Sequence, residues 1–405
     1  MNSITAYYII LFGNCQMKPD YKEIRRNIKE FRGLETDIMN KVLILTNSIK
    51  GLYCFRKELI EELMKEGFEV SISSPGDSKN SYFKELGCNL TDTSIDRRGT
   101  NPIKDLKLFT DYIKIIAEIK PNIVLTYTIK PNVYGGLACR LLRVPYIANI
   151  TGLGTSIERK GIISAISLML YKIGLKDASC IFFQNSANKD FFIKNGIVDD
   201  RKAREIPGSG VNLQDHALEE YPGEDENIRF LFIGRIMKSK GIEELFEAAR
   251  IIKEIYPSVE FHLIGEKEEN YEKIINDLEN RQIIQYHGYQ ENIHGFIKRS
   301  HATINPSYHE GMSNVLLESA SAGRPVLASN VPGCKETFDE GISGFGFTVK
   351  NVDSLVEAII KFIQLPYEDK KKMGLAGRRK MEKEFDRNLV LKAYLEQIKS
   401  ILKEN

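Results

Sequence analysis

Short runs of aliphatic and β-branched residues alternate along this chain with segments whose apolar side chains recur every three or four positions. That rhythm points to parallel strands joined by crossover helices, because parallel neighbours need a connection of a dozen or more residues. Lys41–Thr46 is the first strand-like run, followed by Glu69–Ser73, Asn122–Thr126, Tyr146–Ile150 and Cys180–Phe183. Pro102–Ile119 carries Leu106, Phe109, Ile113 and Ile116 at helical spacing, and Tyr134–Leu142 reads as another helix. Glu205-Ile-Pro-Gly-Ser-Gly-Val-Asn212 and the polar, acidic stretch to Asn227 break the pattern. It restarts with strand Arg229–Ile233, helix Ile242–Ile255, strand Val259–Ile264 and helix Tyr271–Asn280. Strands Ile284–His287 and Ala302–Asn305, helix Asn314–Ala322 and strand Pro325–Ala328 come next. Helices near 352–363, 368–384 and 389–402 finish the chain.

The expected fold class is therefore α/β, with two Rossmann-like doubly wound domains facing across a cleft. A chain of 405 residues suits two domains, each of roughly 100–200 residues. The expected division is an extension over 1–38, a first domain over 39–207, a second over 208–385, and a closing segment over 386–405 able to pack back on the first. Residues before Met39 are polar and charged after a short apolar start. They read as an appendage or as an upstream translation start, with Met39 directly ahead of the first strand.

Composition removes several function classes. A net charge of +2 argues against a nucleic-acid binder driven by bulk electrostatics. The six cysteines, Cys15, Cys54, Cys88, Cys139, Cys180 and Cys334, form no CxxC pair, so neither a zinc site nor a redox motif is expected. A reducing, cytoplasmic setting fits them best. No segment reaches the roughly 20 apolar residues of a membrane span. Ile4–Phe12 is too short, and Lys172 and Gly174 interrupt Gly161–Leu175.

The most informative stretch is His309-Glu-Gly-Met-Ser-Asn-Val-Leu-Leu-Glu318. Ligands of open α/β sheets bind outside the carboxyl ends of strands, and Glu310 belongs at such an end. The amides of Gly311, Met312, Ser313 and Asn314 open the next helix, where unpaired N–H groups and the helix dipole suit a diphosphate. Glu318 lies eight positions beyond Glu310, about 12 Å along an ideal helix. The two carboxylates then hold opposite ends of an extended ligand, sugar hydroxyls at one and ribose hydroxyls at the other. Alone, the spacing describes two surface glutamates; Pro306-Ser307 before it and Ala322-Gly-Arg-Pro-Val326 after it make that reading insufficient. Gly234-Arg235 and Lys240 follow the first strand of the second half. An arginine fork and a lysine point charge there meet the negative charge that builds on a departing nucleoside diphosphate. Lys238 reads as an ordinary solvated cation.

Together these motifs resemble the GT-B glycosyltransferases of family 4, a retaining group with a Glu-x7-Glu signature. The resemblance runs from Gly234-Arg235 through His287-Gly288-Tyr289, Pro306-Ser307, Glu310 to Glu318, and Pro332-Gly333 to Glu336. It implies that Arg235 and Lys240 bind the donor diphosphate, that Glu310 holds the donor sugar and Glu318 the ribose, and that the backbone near Tyr289 faces the base. In the first half the likeness is looser. The family has a glycine pair after the first strand, where this chain has Lys50-Gly51. Tyr127-Thr-Ile-Lys130-Pro-Asn132 and Asn149-Ile-Thr151-Gly152-Leu-Gly154 end two strands and are expected on the acceptor side. Where many members carry a histidine, Thr151-Gly152 stands. These stretches resemble the subgroup that builds lipid-linked glycans and surface polysaccharides.

The resemblance thus implies transfer of a hexose or N-acetylhexosamine, from a UDP-linked donor, to a lipid-linked or oligosaccharide acceptor. A sugar-nucleotide epimerase and a donor-binding pseudoenzyme are the alternatives. No Walker loop, HExxH or strand-end Asp-x-Asp is present, so no metal and no cofactor are expected. Arg159–Lys176 is apolar with basic ends. It reads either as a helix docking peripherally on the inner face of the cell membrane or as a buried inter-element helix.

Overall fold

The computed structural model describes residues 40–96, 99, 101–152, 162–224 and 226–404. The extension over 1–38, with Met39, and Gly154, Arg159 and Lys160 lie outside the described residues. Lys41–Asn405 forms one unit built on two sheets.

The first sheet has seven strands in the order β3-β2-β1-β4-β5-β6-β7. Its centre is β1 (Lys41–Leu45), β4 (Ile123–Tyr127), β5 (Tyr146–Ile150) and β6 (Cys180–Phe183), with β2 (Glu69–Ser74) beside β1. All pairs are parallel, with Leu45 opposite Thr126 and Tyr127 opposite Asn149. The second sheet has six strands, β10-β9-β8-β11-β12-β13. Here β8 (Arg229–Ile233) and β11 (Ala302–Asn305) are central, flanked by β9 (Glu260–Ile264) and β12 (Val326–Ser329). Each order reverses direction beside its first strand, and such switch points open a crevice at the carboxyl ends. This is the α/β, two-domain architecture that the alternation implies.

Edge strands depart from the sequence expectation. β3 (Asn89–Asp92), β7 (Ala203–Glu205) and β13 (Gly344–Phe347) were not legible as strands, and β10 (Gln285–Tyr286) is shorter than expected. They border the sheets, where one neighbour is missing and burial no longer demands an apolar run. α1 (Ile49–Lys65) was hidden differently. Its buried stripe of Ile49, Leu52, Leu59, Ile60 and Leu63 is interrupted by Arg56, itself only 4% exposed. α2 is Asn80–Glu85.

Each face of the first sheet is covered. On one side α3 (Pro102–Ile119), α4 (Gly136–Leu142, entered through a π turn at Pro131–Gly135) and α5 (Ile162–Leu175) bury Leu108, Tyr112, Cys139, Tyr171 and Leu175. α6 (Ser186–Lys194) adds Phe192. On the other side α1 is joined by the last helix, Arg387–Glu404, whose Val390, Tyr394, Ile398 and Ile401 enter the core containing Val42, Ile44, Ile123 and Ile147. The chain therefore finishes on the domain with which it began.

The second sheet is covered by α7 (Ile242–Ile255), α8 (Glu272–Asn280) and α11 (Val352–Gln364), which share one core with β8, β9 and β11. The short α9 (His294–Arg299), α10 (Asn314–Ser321) and α12 (Tyr367–Lys380) complete the layer, and α13 is the helix Arg387–Glu404 on the first sheet. Arg324 is fully buried, and among the described residues no carboxylate oxygen bonds to it. Its guanidinium instead donates to the carbonyls of Glu219, Glu220, Ile297, Lys298 and Ala322, which ties the linker to the second sheet.

Because Ile398 is completely buried against the first sheet, Ile398→Ala should cost about 2–5 kcal/mol. Urea unfolding measures this. A loss below about 0.5 kcal/mol would mean that α13 does not support the first core.

Candidate active site

The candidate residues converge on the carboxyl ends of the two central strand sets. β11 ends at Asn305, and its Nδ2 donates to Ser313 Oγ at 2.6 Å. That bond folds the Pro306–Met312 loop back over the strand end. α10 begins only at Asn314, so Glu310 precedes the helix. The 12 Å helical rise expected between Glu310 and Glu318 therefore does not apply, since only the second half of that interval is helical.

Lys240 closes a single turn of 3-10 helix at Lys238–Lys240, after β8. Its ammonium lies 2.5 Å from Glu310 Oε1, with both side chains mostly buried. Two residues distant in sequence thus form one paired site. Arg235 stands apart, its Nη1 3.0 Å from both carboxylate oxygens of Glu268. Gly234 leads into it, and Gly234 N–H donates to Ile264 O at 2.9 Å. The next loop passes so close that a Cβ on Gly265 (φ +149°) would lie 1.7 Å from the Gly234 carbonyl oxygen. Only glycine fits there, and the approach sets where Arg235 starts.

The amides at the start of α10 divide. Ser313 N–H is not available to a ligand as expected: it donates to Gly333 O at 2.7 Å. Among the described residues, no acceptor stands opposite the amides of Gly311, Met312 and Asn314. The Met312 side chain is 6% exposed and packs with Val211, Leu316 and Val331. It serves the core, which leaves its backbone for the cleft.

The first domain meets this loop at Gly311. A Cβ there would lie 1.9 Å from Thr151 O and 2.7 Å from Gln184 Oε1. Gly152 (φ +148°) lies against the Gly311 backbone from the other side. Asn185 Nδ2 donates to Gly311 O. Gln184 and Asn185 directly follow β6 and were not singled out from the sequence, although the strand-end rule that found Thr151 applies to them equally.

Glu318, on α10, has two neighbours that sequence could not reveal. His216 Nε2, from the linker, is 3.9 Å from Glu318 Oε1. Burial pushes the Glu318 carboxyl up to about 7, against the pull of the Arg387 guanidinium on α13. Burial and then His294 push His216 down to about 4. Near pH 6 this contact therefore joins two uncharged groups.

On the acceptor side the expectations separate. Asn132 does not offer its amide to the cleft. It is 1% exposed, accepts from Thr126 Oγ1 at 2.7 Å and donates to Asn149 O at 2.8 Å. Both ends of the amide are used to hold β4 against β5, since a buried amide must be satisfied inside the protein. Lys130 pairs with Asp105 at 2.5 Å, and Asp105 also accepts from Tyr134 at 2.9 Å. Asp105 lines a cavity of about 440 Å³ with Ser94, Asp96, Lys104 and Lys107. Gly51, in the first turn of α1, donates its amide to the Ser48 cap at 3.0 Å. Tyr289 is 47% exposed, and Lys50 Nζ reaches its hydroxyl from the first domain at 2.5 Å. Among the described residues, no group of three or more His, Cys, Asp or Glu side chains is placed to hold a metal.

Two Rossmann-like domains whose strand ends meet across a cleft make the GT-B architecture. Comparison with known proteins agrees. Residues 41–185 match the family model "Glycosyl transferase 4-like", and residues 215–380 match "Glycosyl transferases group 1". A Campylobacter jejuni protein named as N,N'-diacetylbacillosaminyl-diphospho-undecaprenol alpha-1,3-N-acetylgalactosaminyltransferase is 24% identical over 380 residues, covering 90% of this chain and 99% of its own. An Escherichia coli UDP-Gal:alpha-D-GlcNAc-diphosphoundecaprenol alpha-1,3-galactosyltransferase is 27% identical over 340 residues, covering 77% and 84%. Among solved structures, a Rickettsia africae glycosyltransferase superposes with a TM-score of 0.75 at 20% identity, covering 91% of this chain and 100% of its own. HepE of Anabaena, in complex with UDP and glucose, gives 0.74 at 16%, covering 89% and 100%. The chain belongs to the GT-B glycosyltransferases of family 4.

The raised Glu318 carboxyl has a signed consequence. Between pH 4.5 and about 7 the folded protein keeps a proton that the unfolded chain releases, so stability falls as pH rises across that window. Glu318→Gln removes this slope, and the difference between variant and wild type should grow by about 3 kcal/mol from pH 4.5 to pH 8. Parallel urea curves at the two pH values would contradict it.

Proposed function

We propose that this protein transfers a hexose or N-acetylhexosamine from a UDP-sugar to a lipid-linked glycan, with retention at the anomeric carbon. The observation that carries the reading is the Lys240–Glu310 pair at the mouth of the second sheet, directly before the loop where Gly311 meets Thr151. A donor seated there places its diphosphate by the Gly311, Met312 and Asn314 amides and its sugar by Glu310. Lys240 and Arg235 then take up the charge that develops on the leaving nucleoside diphosphate. Glu318, beside His216, receives the ribose, and the Gly288–Tyr289 backbone faces the base.

The acceptor reading is supported by the two sequence relatives described above, each named for an undecaprenol-diphosphate acceptor. The cavity lined by Asp105 carries Ser94, Asp96, Lys104 and Lys107 beside Ile95 and Leu108, a mixed polar lining that suits a sugar headgroup, and Lys130 pairs with Asp105 on its wall. Ile103 is 78% and Leu106 63% exposed on α3, and Ile166 is 51% and Met169 63% exposed on α5. Lys104, Lys107, Lys172 and Lys176 accompany these side chains. Apolar anchors mixed with lysines suit reversible docking on an anionic bilayer. No described helix is long and apolar enough to cross a membrane. Peripheral contact at the inner face of the cell membrane is the reading this supports. The leaving phosphate is proposed to assist deprotonation of the acceptor, with no metal.

The test is turnover of a panel of UDP-sugars on a polyprenol-diphosphate-linked sugar in anionic vesicles, with and without EDTA. Lys240→Ala and Arg235→Ala should each lower kcat by about 100-fold while thermal stability stays near wild type. EDTA should leave the rate unchanged. Epimerised donor without transfer, nucleotide binding without turnover, or near-normal kcat in both variants would each overturn the assignment.

A further inference from the structure

Lys240 and Glu310 come from two different loops, and an ion pair between flexible side chains does not by itself set where those loops stand. The residue two positions before Glu310 does more. Tyr308 N–H donates to Ser239 O at 3.0 Å, directly ahead of Lys240. Its hydroxyl donates to the carboxylate of Glu244, at 2.8 Å from one oxygen and 3.1 Å from the other. Glu244 lies in the first turn of α7, just beyond Lys240. Tyr308 therefore grips the Lys240 turn from both sides, by its backbone before the lysine and by its side chain after it.

The neighbouring contacts leave little slack. Gly241 has φ +69°, and a Cβ there would lie 2.1 Å from Pro306 O, so the two loops touch backbone to backbone. Lys350, from the segment between β13 and α11, places Nζ 4.6 Å from the centre of the Tyr308 ring. α7 is anchored in the second core through Ile242, Leu245 and Phe246, which makes Glu244 a fixed point. A phenol hydroxyl on a carboxylate is a charge-assisted hydrogen bond, about twice as strong as a neutral one. Beyond Glu310 the loop has fastenings of its own, Asn185 Nδ2 on Gly311 O and Ser313 N–H on Gly333 O. Loss of the Tyr308 hydroxyl would thus loosen the stretch that carries Glu310 and leave the amides at the start of α10 in place.

We propose that Tyr308 and Glu244 are a positioning pair for sugar transfer: their hydrogen bond sets the Glu310 loop against the Lys240 turn, and so aligns the donor sugar with the diphosphate that leaves it. The proposal rests on the donor reading above. Neither residue is assigned a contact with substrate. Both act through the placement of Glu310 relative to Lys240, and a misplacement of about 1 Å can cost about 100-fold in rate.

The experiment compares kcat for sugar transfer with calorimetric UDP affinity in wild type, Tyr308→Phe, Glu244→Leu, Glu244→Gln, the double variant Tyr308→Phe/Glu244→Leu and Tyr271→Phe. Tyr308→Phe keeps the amide on Ser239 and the ring beneath Lys350, and removes only the hydroxyl. It should lower kcat by about tenfold while UDP affinity stays at the wild-type value. Glu244→Leu should match it, and the double variant should be no slower than either single one. Glu244→Gln, whose amide oxygen still accepts, should lose less. Tyr271→Phe is the control: it removes a hydroxyl bond to Glu243 at 2.9 Å, on the same helical turn but not involving the Glu310 loop, and should keep wild-type kcat. Wild-type kcat in Tyr308→Phe, an equal fall in kcat and UDP affinity, equal losses in the two Glu244 variants, multiplied losses in the double variant, or a Tyr271→Phe loss as large would each overturn the proposal. A wild type that transfers no sugar, or near-normal kcat in Lys240→Ala, removes the donor reading itself, and this proposal with it.

Discussion

The backbone approach of Gly311 to Thr151 is the constraint around which the rest of the cleft is arranged. A single methyl on Gly311 would sit 1.9 Å from the Thr151 carbonyl oxygen, so the domains meet here with no side chain between them. The contact is made by two strand ends, β5 on one side and the loop after β11 on the other. Glu310, paired with Lys240, directly precedes Gly311 on the second domain, and Gln184 and Asn185 reach Gly311 from the first. Two parallel sheets supply such ends by default, which is why the fold lends itself to a ligand held from both sides.

Charge in the cleft follows the same division. The cations nearest the strand ends, Lys240 and Arg235, each have a carboxylate partner, Glu310 and Glu268. Glu318 is treated differently. Burial outweighs the pull of Arg387 and keeps its proton to about pH 7, and its neighbour His216 is held neutral. A hydrogen bond to a poorly solvated carboxyl of this kind is worth more than in water. α13 joins the two halves of this design. Its first residue, Arg387, pairs with Glu58 of α1 at 2.8 Å, and its later turns complete the first core.

The central strands and long helices were legible because both faces of a parallel sheet are buried, which leaves apolar runs with sharp ends. Pro102–Ile119 and Tyr146–Ile150 agree to the residue. Edge strands such as Ala203–Glu205 carry no such signal. In the candidate site, strand-end logic put Arg235, Lys240, Glu310 and Thr151 in loops that follow strands, which is where the structure has them. It failed at Asn132 and at the Ser313 amide, because a polar group at a strand or helix end looks the same in sequence whether it faces ligand or protein. Only the partners Thr126, Asn149 and Gly333 decide the matter. His216 and Arg387 were out of reach for another reason: each comes to Glu318 from far along the chain.

The account turns on where the diphosphate sits, and hydrogen exchange at single-residue resolution measures that most directly. Adding UDP should slow exchange at the amides of Gly311, Met312 and Asn314, which have no acceptor among the described residues. Ser313, already bonded to Gly333, should change little. UDP that binds tightly yet leaves those three amides exchanging at their original rates would contradict the account.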